Sequence, residues 1–236
     1  MALQQIGYRD GITPLTGWLA VPEGAARAAI VVFPTIANVT PAIERRTAML
    51  AEAGFMAMIA DFYGQAVPSF EASRPLADAL RADPDAYRAR LMAAVDCLRA
   101  RPEAAGLPLA AIGYCMGGGA ALEVARGGAN LVAAVSFHGL LATERPASPG
   151  AVKARILVCH GDADPMVPRS HVLSFWEEMD AAGANWHFHV YSGVKHGFTD
   201  PGSDARGLPA IAYDASADRQ SWAAMMALLD EVLAGQ

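Results

Sequence analysis

The feature that most constrains this chain is an order of segments: short apolar runs alternate with longer stretches of helical periodicity. The apolar runs are Ala29–Phe33, Met56–Ala60, Leu109–Gly113, Val132–Phe137, Ile156–Cys159 and His187–Tyr191. Most are continuously apolar rather than alternating, as strands are when helices cover both faces of a sheet. The helical segments are Ile43–Ala53, Ala86–Ala100, Gly118–Ala125, Ser170–Ala182 and Ala217–Leu233. Gly54 and Gly183 follow the first and fourth of these, at the left-handed closing position that glycine adopts most easily. Asp83-Pro84 opens the second, where a proline's missing N–H is not needed. The pattern predicts an α/β fold with a mostly parallel central sheet and helices on both faces. Ile6–Tyr8 and Leu15–Ala20, on either side of Asp10-Gly11, add an N-terminal antiparallel hairpin. No linker or repeat interrupts residues 1–236, so a single domain is expected.

Such a fold needs a sizeable core, and 236 residues that are 53% hydrophobic and 18% charged supply one. That much apolar surface offsets the entropy of ordering the backbone and excludes a disordered chain. The 22 Gly and 15 Pro follow no period, which excludes a collagen-like repeat. A formal charge of −6 with no Lys/Arg cluster argues against nucleic-acid and membrane-surface partners. Cys97, Cys115 and Cys159 are an odd set at irregular spacing with no CxxC pair, so neither a disulfide framework nor a metal site is expected. A reducing, cytoplasmic compartment fits best. Met1–Asp10 lacks the basic start and apolar core of a secretion signal. Ala104–Leu122 runs 19 residues without a charge, but Pro108 and five glycines suit a buried strand, turn and helix rather than a membrane span.

Two irregular stretches, Tyr63–Pro75 and Gly197–Tyr213, follow expected strands and belong at the C-terminal edge of the sheet, where open α/β folds place ligands. The strongest chemical signal is Gly113-Tyr114-Cys115-Met116-Gly117, between a strand and an Ala-rich helix. This is the glycine-flanked nucleophile elbow, with Cys in place of the commoner Ser. The helix N-terminus under such a cysteine favours the thiolate. A second signal is His160-Gly161-Asp162-Ala163-Asp164, at the next strand tip but one. Either Asp162 or Asp164 can orient a histidine there, or cap the helix that follows. The third is Val194-Lys195-His196-Gly197-Phe198 beyond the last strand. Of the other histidines, His138 can line the pocket and His160 reads as a turn residue. His171 reads as exposed in a helix's first turn, and His187 and His189 as one strand face. Cysteine, aspartate and histidine thus follow in the chain order used by α/β-hydrolases.

In these ordered blocks, together with Ala60-Asp61-Phe62-Tyr63-Gly64, the chain resembles the dienelactone hydrolase family from about Ala29 to Asp200. The resemblance implies an α/β-hydrolase fold and a Cys115–His196–Asp164 triad. It also implies an oxyanion hole made by the backbone N–H groups of Ile36 and Met116. The implied chemistry is hydrolysis of a small ester or lactone through a thioester on Cys115, with no cofactor. Thr35, Tyr63 and Phe198 are expected on the substrate pocket, with Ile36, Phe62 and Met166 beside them. Two positions depart from the family pattern. Thr35 stands where the best-known members carry a glutamate that holds the resting cysteine. Asp200 stands where they carry an arginine for the substrate's carboxylate. Arg74 and Arg81 read as solvated helix charge, or as contacts for an acidic substrate. Two other functions fit the same residues: a redox-responsive thiol protein, and a ligand-binding member without turnover.

Overall fold

The computed structural model describes residues 3–235. Gln4–Asp10 (β1) and Thr13–Ala20 (β2) form the hairpin, with Asp10 paired to Thr13 across a turn in which Gly11 takes φ +54°. The further strands are Ala29–Phe33 (β3), Met56–Ile59 (β4), Leu109–Tyr114 (β5), Ala133–Phe137 (β6), Arg155–Gly161 (β7) and Trp186–Tyr191 (β8). All eight join one sheet in the order β1-β2-β4-β3-β5-β6-β7-β8. β2 meets β4 antiparallel, and every pairing from β4 to β8 is parallel.

Six α-helices accompany the sheet among the described residues: Pro41–Glu52 (α1), Phe70–Arg81 (α2), Pro84–Arg99 (α3), Met116–Arg126 (α4) and Arg169–Ala181 (α5) lie between strands, and Ala215–Ala234 (α6) follows the last strand. They divide between the two faces of the sheet. Leu91, Val95, Val124, Phe175 and Met179 of α3, α4 and α5 pack on Val31, Met58, Ala111 and Val158. Ile43, Leu50, Met225 and Leu229 of α1 and α6 pack on Ile30, Val32, Ile112, Val135 and Leu157. Neighbouring residues of β3 therefore serve opposite cores, which is why its sequence is apolar without a break. None of the helices is long and apolar enough to cross a membrane among the described residues.

One element departs from the sequence reading. The stretch expected to be irregular up to Pro75 is helical from Phe70, with Pro75 inside α2. Ser69 caps this helix by accepting from the Ala72 N–H at 3.2 Å. Pro75 forfeits the backbone bond it would have given Glu71. Burial of Ser73 and Ala77 and packing of α2 on α3 hold the segment helical despite that loss.

The block after β4 owes its shape to one buried carboxylate. Asp61 accepts from Asn38 Nδ2 and from the backbone N–H groups of Thr16, Tyr63 and Gly64, all at 2.9–3.0 Å. It ties the hairpin to the loops that follow β3 and β4. Asp61→Ala strands these donors, and a loss of about 3 kcal/mol is expected in urea denaturation.

Candidate active site

The C-terminal tips of β3, β5, β6, β7 and β8 all lie at one edge of the sheet and deliver the candidate residues there. Cys115 occupies the tip of β5 as N-cap of α4, with φ +58° and ψ −121°. A non-glycine residue held there costs about 1–3 kcal/mol and persists only where its surroundings enforce it. The flanking glycines supply that enforcement. A Cβ on Gly113 would lie 1.8 Å from the Gly117 carbonyl oxygen, and one on Gly117 would lie 2.1 Å from the Phe33 oxygen. No side chain fits either place, so strand, turn and helix close to this one geometry.

The backbone N–H groups of Ile36 and Met116 lie near the Cys115 sulfur and favour its charged form. Tyr63 steadies the first of them, its hydroxyl donating to the Ile36 carbonyl at 2.9 Å. Burial by itself would push the Cys115 thiol up. The nearby His196 and the two backbone donors outweigh it and hold the thiol below its usual value.

His196 follows β8 in a loop fixed by backbone bonds to Ala210 and Ala212. Its Nδ1 meets Asp164 Oδ2 at 2.7 Å, both side chains being almost wholly buried. The other Asp164 oxygen accepts from the Met166 N–H at 2.8 Å. Asp162 is engaged elsewhere, in a two-pronged pair with Arg169 at 2.9 and 2.8 Å. The structure therefore brings Asp164, not Asp162, to the histidine. His196 Nε2 is buried without a well-aligned hydrogen bond, yet interacts with the Cys115 sulfur. Burial opposes a charge on His196. The adjacent Cys115 and the Asp164 hydrogen bond overcome it and raise the imidazole's pKa. Both shifts run in the direction that favours a thiolate–imidazolium pair.

A cavity of about 230 Å³ opens over Cys115. Thr35, Ile36 and Met166 line it, with Ile43, Phe70, Leu140 and Ile211. The expected wall is otherwise corrected. Phe198 is fully buried, packing edge-on against His138 and Tyr191, and Phe62 is stacked on Phe33 in the core. Tyr63 stands behind Ile36 rather than on the cavity wall. Thr35 Oγ1 is turned to the Ala37 N–H at 3.3 Å, within its own loop.

Arg74 and Arg81, read from sequence chiefly as solvated charge, both reach the cavity. So does Arg206, which the sequence reading passed over. Its guanidinium meets Asp200 at 2.7 Å, so Asp200 holds an arginine from later in the same loop. His138 was expected at the pocket and lines it. His160 is not a turn residue but ends β7 inside the sheet, its ring edge-on to Phe188. His171, His187 and His189 are exposed on α5 and β8. No group of three or more His, Cys, Asp or Glu is arranged to hold a metal ion among the described residues.

Comparison with known proteins agrees with this architecture. The family model for the dienelactone hydrolase family matches residues 15–233. A solved structure named m3DLH is 39% identical, with each chain 98% covered and a TM-score of 0.92. A dienelactone hydrolase-like promiscuous phosphotriesterase from metagenomic libraries is 35% identical, with 98% of this chain and 99% of that chain covered and a TM-score of 0.93. A Bradyrhizobium sp protein described as a probable 2-oxo-3-(5-oxofuran-2-ylidene)propanoate lactonase is 29% identical over 203 residues, 80% of each chain. The match over nearly the whole chain and the shared fold place this protein in the dienelactone hydrolase family.

Proposed function

We propose that this protein is a cysteine hydrolase of small esters or lactones, with Cys115 as nucleophile, His196 as acid and base, and Asp164 as the group that orients His196. The observation that carries the reading is the resting geometry. Cys115 sits strained at the start of α4, beside a buried His196–Asp164 pair and near the Ile36 and Met116 N–H groups. In the proposed reaction the Cys115 thiolate attacks the carbonyl carbon, and the carbonyl π electrons move to oxygen. The resulting oxyanion takes the Ile36 and Met116 N–H groups, each donor contributing about 3 kcal/mol. Collapse breaks the C–O bond, and the His196 imidazolium gives its proton to the departing oxygen. The neutral imidazole then takes a proton from water, which attacks the thioester. Thiolate leaves, and the thiolate–imidazolium pair is restored.

Thr35 bears on the resting state. With no carboxylate there to hold the cysteine, the thiolate depends on His196 and on the backbone N–H groups of Met116 and Ile36. Alkylation of Cys115 by iodoacetamide is therefore expected without any substrate analogue. Its rate should rise with pH to a plateau, with the inflection below the ordinary thiol value of about 8.5. The thiolate is lost only as pH falls through the lowered pKa of Cys115. An inflection at or above that ordinary value would undo the ion-pair account.

The substrate side is proposed as uncharged or weakly anionic. Lactone cleavage gains support from the name of the Bradyrhizobium relative. The Asp200–Arg206 pair neutralises one cation that faces the cavity. Asp200→Ala is expected to lower KM for a carboxylate-bearing ester by about fivefold and leave KM for a neutral ester unchanged.

The deciding experiment is an acid quench of the enzyme early in turnover of p-nitrophenyl acetate, followed by peptide mass analysis. Acetylation of the Cys115 peptide at a level that follows turnover supports the reading. Turnover without that adduct, or peroxide-driven oxidation of Cys115 with no turnover on ester or lactone, would turn the case toward another nucleophile or a redox thiol.

A further inference from the structure

We infer that His138, a second buried histidine beside the His–Asp pair, is a positioning residue that clamps the nucleophile elbow to the histidine loop. The inference rests on the reading of this site as a cysteine hydrolase. His138 follows β6, whose neighbours in the sheet are β5 and β7, so it sits between the strand tips that carry Cys115 and Asp164. Its ring nitrogens bond to one element each. Nδ1 accepts at 3.1 Å from the Cys115 backbone N–H, a donor shared with the Phe137 carbonyl at 3.0 Å, and Nε2 meets Thr199 Oγ1 at 2.9 Å. Thr199 lies three residues beyond His196 in the same loop. One rigid ring thus spans the two pieces of chain whose separation sets the Cys115–His196 contact.

The network favours one tautomer of the ring. Nδ1 can accept only as a bare lone pair, so the hydrogen is on Nε2 and is donated to Thr199. Beyond Thr199 the chain of polar contacts continues. The Thr199 carbonyl accepts from Arg46 Nη2 at 3.1 Å, and Arg46 pairs with Asp218, to whose carboxylate Tyr213 donates. The histidine loop is in this way anchored to α1 and α6.

Two features argue against an incidental filler. His138 holds φ +40°, a strained backbone for a histidine, with its own N–H fixed to the Cys159 carbonyl at 2.8 Å. Its ring also stands edge-on to His196, with centroids 5.1 Å apart. A charge there would oppose the imidazolium that the thiolate needs. Burial, with His196, Arg46 and Arg206 all nearby, keeps His138 neutral.

The test uses His138→Ala, Thr199→Val and Thr199→Ser, with p-nitrophenyl acetate kinetics, the pH profile of Cys115 alkylation, and a thermal melt of each variant. His138→Ala is expected to cut kcat by about 100-fold with KM within about twofold, as misplacement of reacting groups does. The alkylation inflection should move to higher pH. Thr199→Val should move both readouts the same way by a smaller amount, and Thr199→Ser should restore both. A folded His138→Ala with wild-type kcat and alkylation profile overturns the inference. So does a rise in KM at unchanged kcat, which would make His138 a substrate contact. If His138→Ala does not fold, the Thr199 pair decides, and a folded Thr199→Val with wild-type values of both readouts overturns it. Failure of the hydrolase reading shows separately, as wild-type enzyme without Cys115-dependent turnover, because alkylation needs no substrate.

Discussion

Cys115→Ala is expected to reduce kcat/KM on p-nitrophenyl acetate by at least about 10⁴-fold while leaving the melting temperature close to that of wild type. The backbone argument favours a folded variant. Alanine meets φ +58° at much the same strain as cysteine, and the enforcement comes from Gly113 and Gly117, which stay in place. What disappears is the sulfur that lies near both backbone donors and His196. The donors and the His196–Asp164 pair remain, so any residual rate measures their contribution without a nucleophile. Cys115→Ser is expected to be nearly as poor. A hydroxyl does not ionise in this range, and His196 Nε2 has no well-aligned bond through which to draw off its proton. A Cys115→Ala enzyme that keeps a tenth of the wild-type rate would place the chemistry elsewhere.

Asp164→Asn is expected to lower kcat by about 10³-fold, whereas Asp162→Asn stays within about threefold of wild type. Both residues lie in one short turn, so the contrast tests geometry rather than local composition. Asp164 is fully buried on His196 Nδ1, and an amide there either offers that nitrogen a competing N–H or stabilises the wrong tautomer. It also removes a carboxylate that helps raise the His196 pKa. The sign follows directly. A less basic His196 supports the thiolate less well, so the Cys115 alkylation inflection should move up in pH together with the fall in kcat. Asp162 loses only an exposed pair with Arg169. Equal losses in the two variants, or an unmoved inflection in Asp164→Asn, would contradict the assignment.

Much of this was legible in the chain because the relevant rules act over a few residues. Continuous apolar runs announced strands buried on both faces, and β3 is sealed in just that way. The Gly113 and Gly117 spacing announced the elbow, because only glycine fits that close approach. The early part of α2 escaped because Pro75 is read as a helix breaker, while a Ser69 cap and packing on α3 decided the matter in three dimensions. Phe198 looked like a pocket residue from its neighbourhood to His196. Two residues beyond His196 along an irregular loop, however, its side chain turns into the core. Arg206 and the His138–Thr199 bond depend on where the 197–213 segment folds back, which no local pattern records. The choice between Asp162 and Asp164 came from the resemblance and not from spacing. The structure separates them through Arg169, a partner seven positions away on α5.

The walls of the cavity and its floor come from different parts of the fold. The floor is strand tip and helix start, where an added methyl at Gly113 or Gly117 would collide with main chain. The walls come largely from α2 and the 197–213 segment, through Phe70, Arg74, Arg206 and Ile211. Inherited variation is thereby channelled. Changes in reactivity must pass through positions that tolerate almost no drift, while changes in diet can accumulate along a rim that the sheet does not need for its own cohesion. A combinatorial library confined to that rim should yield folded members with altered substrate choice, and one spread over the floor should yield insoluble protein.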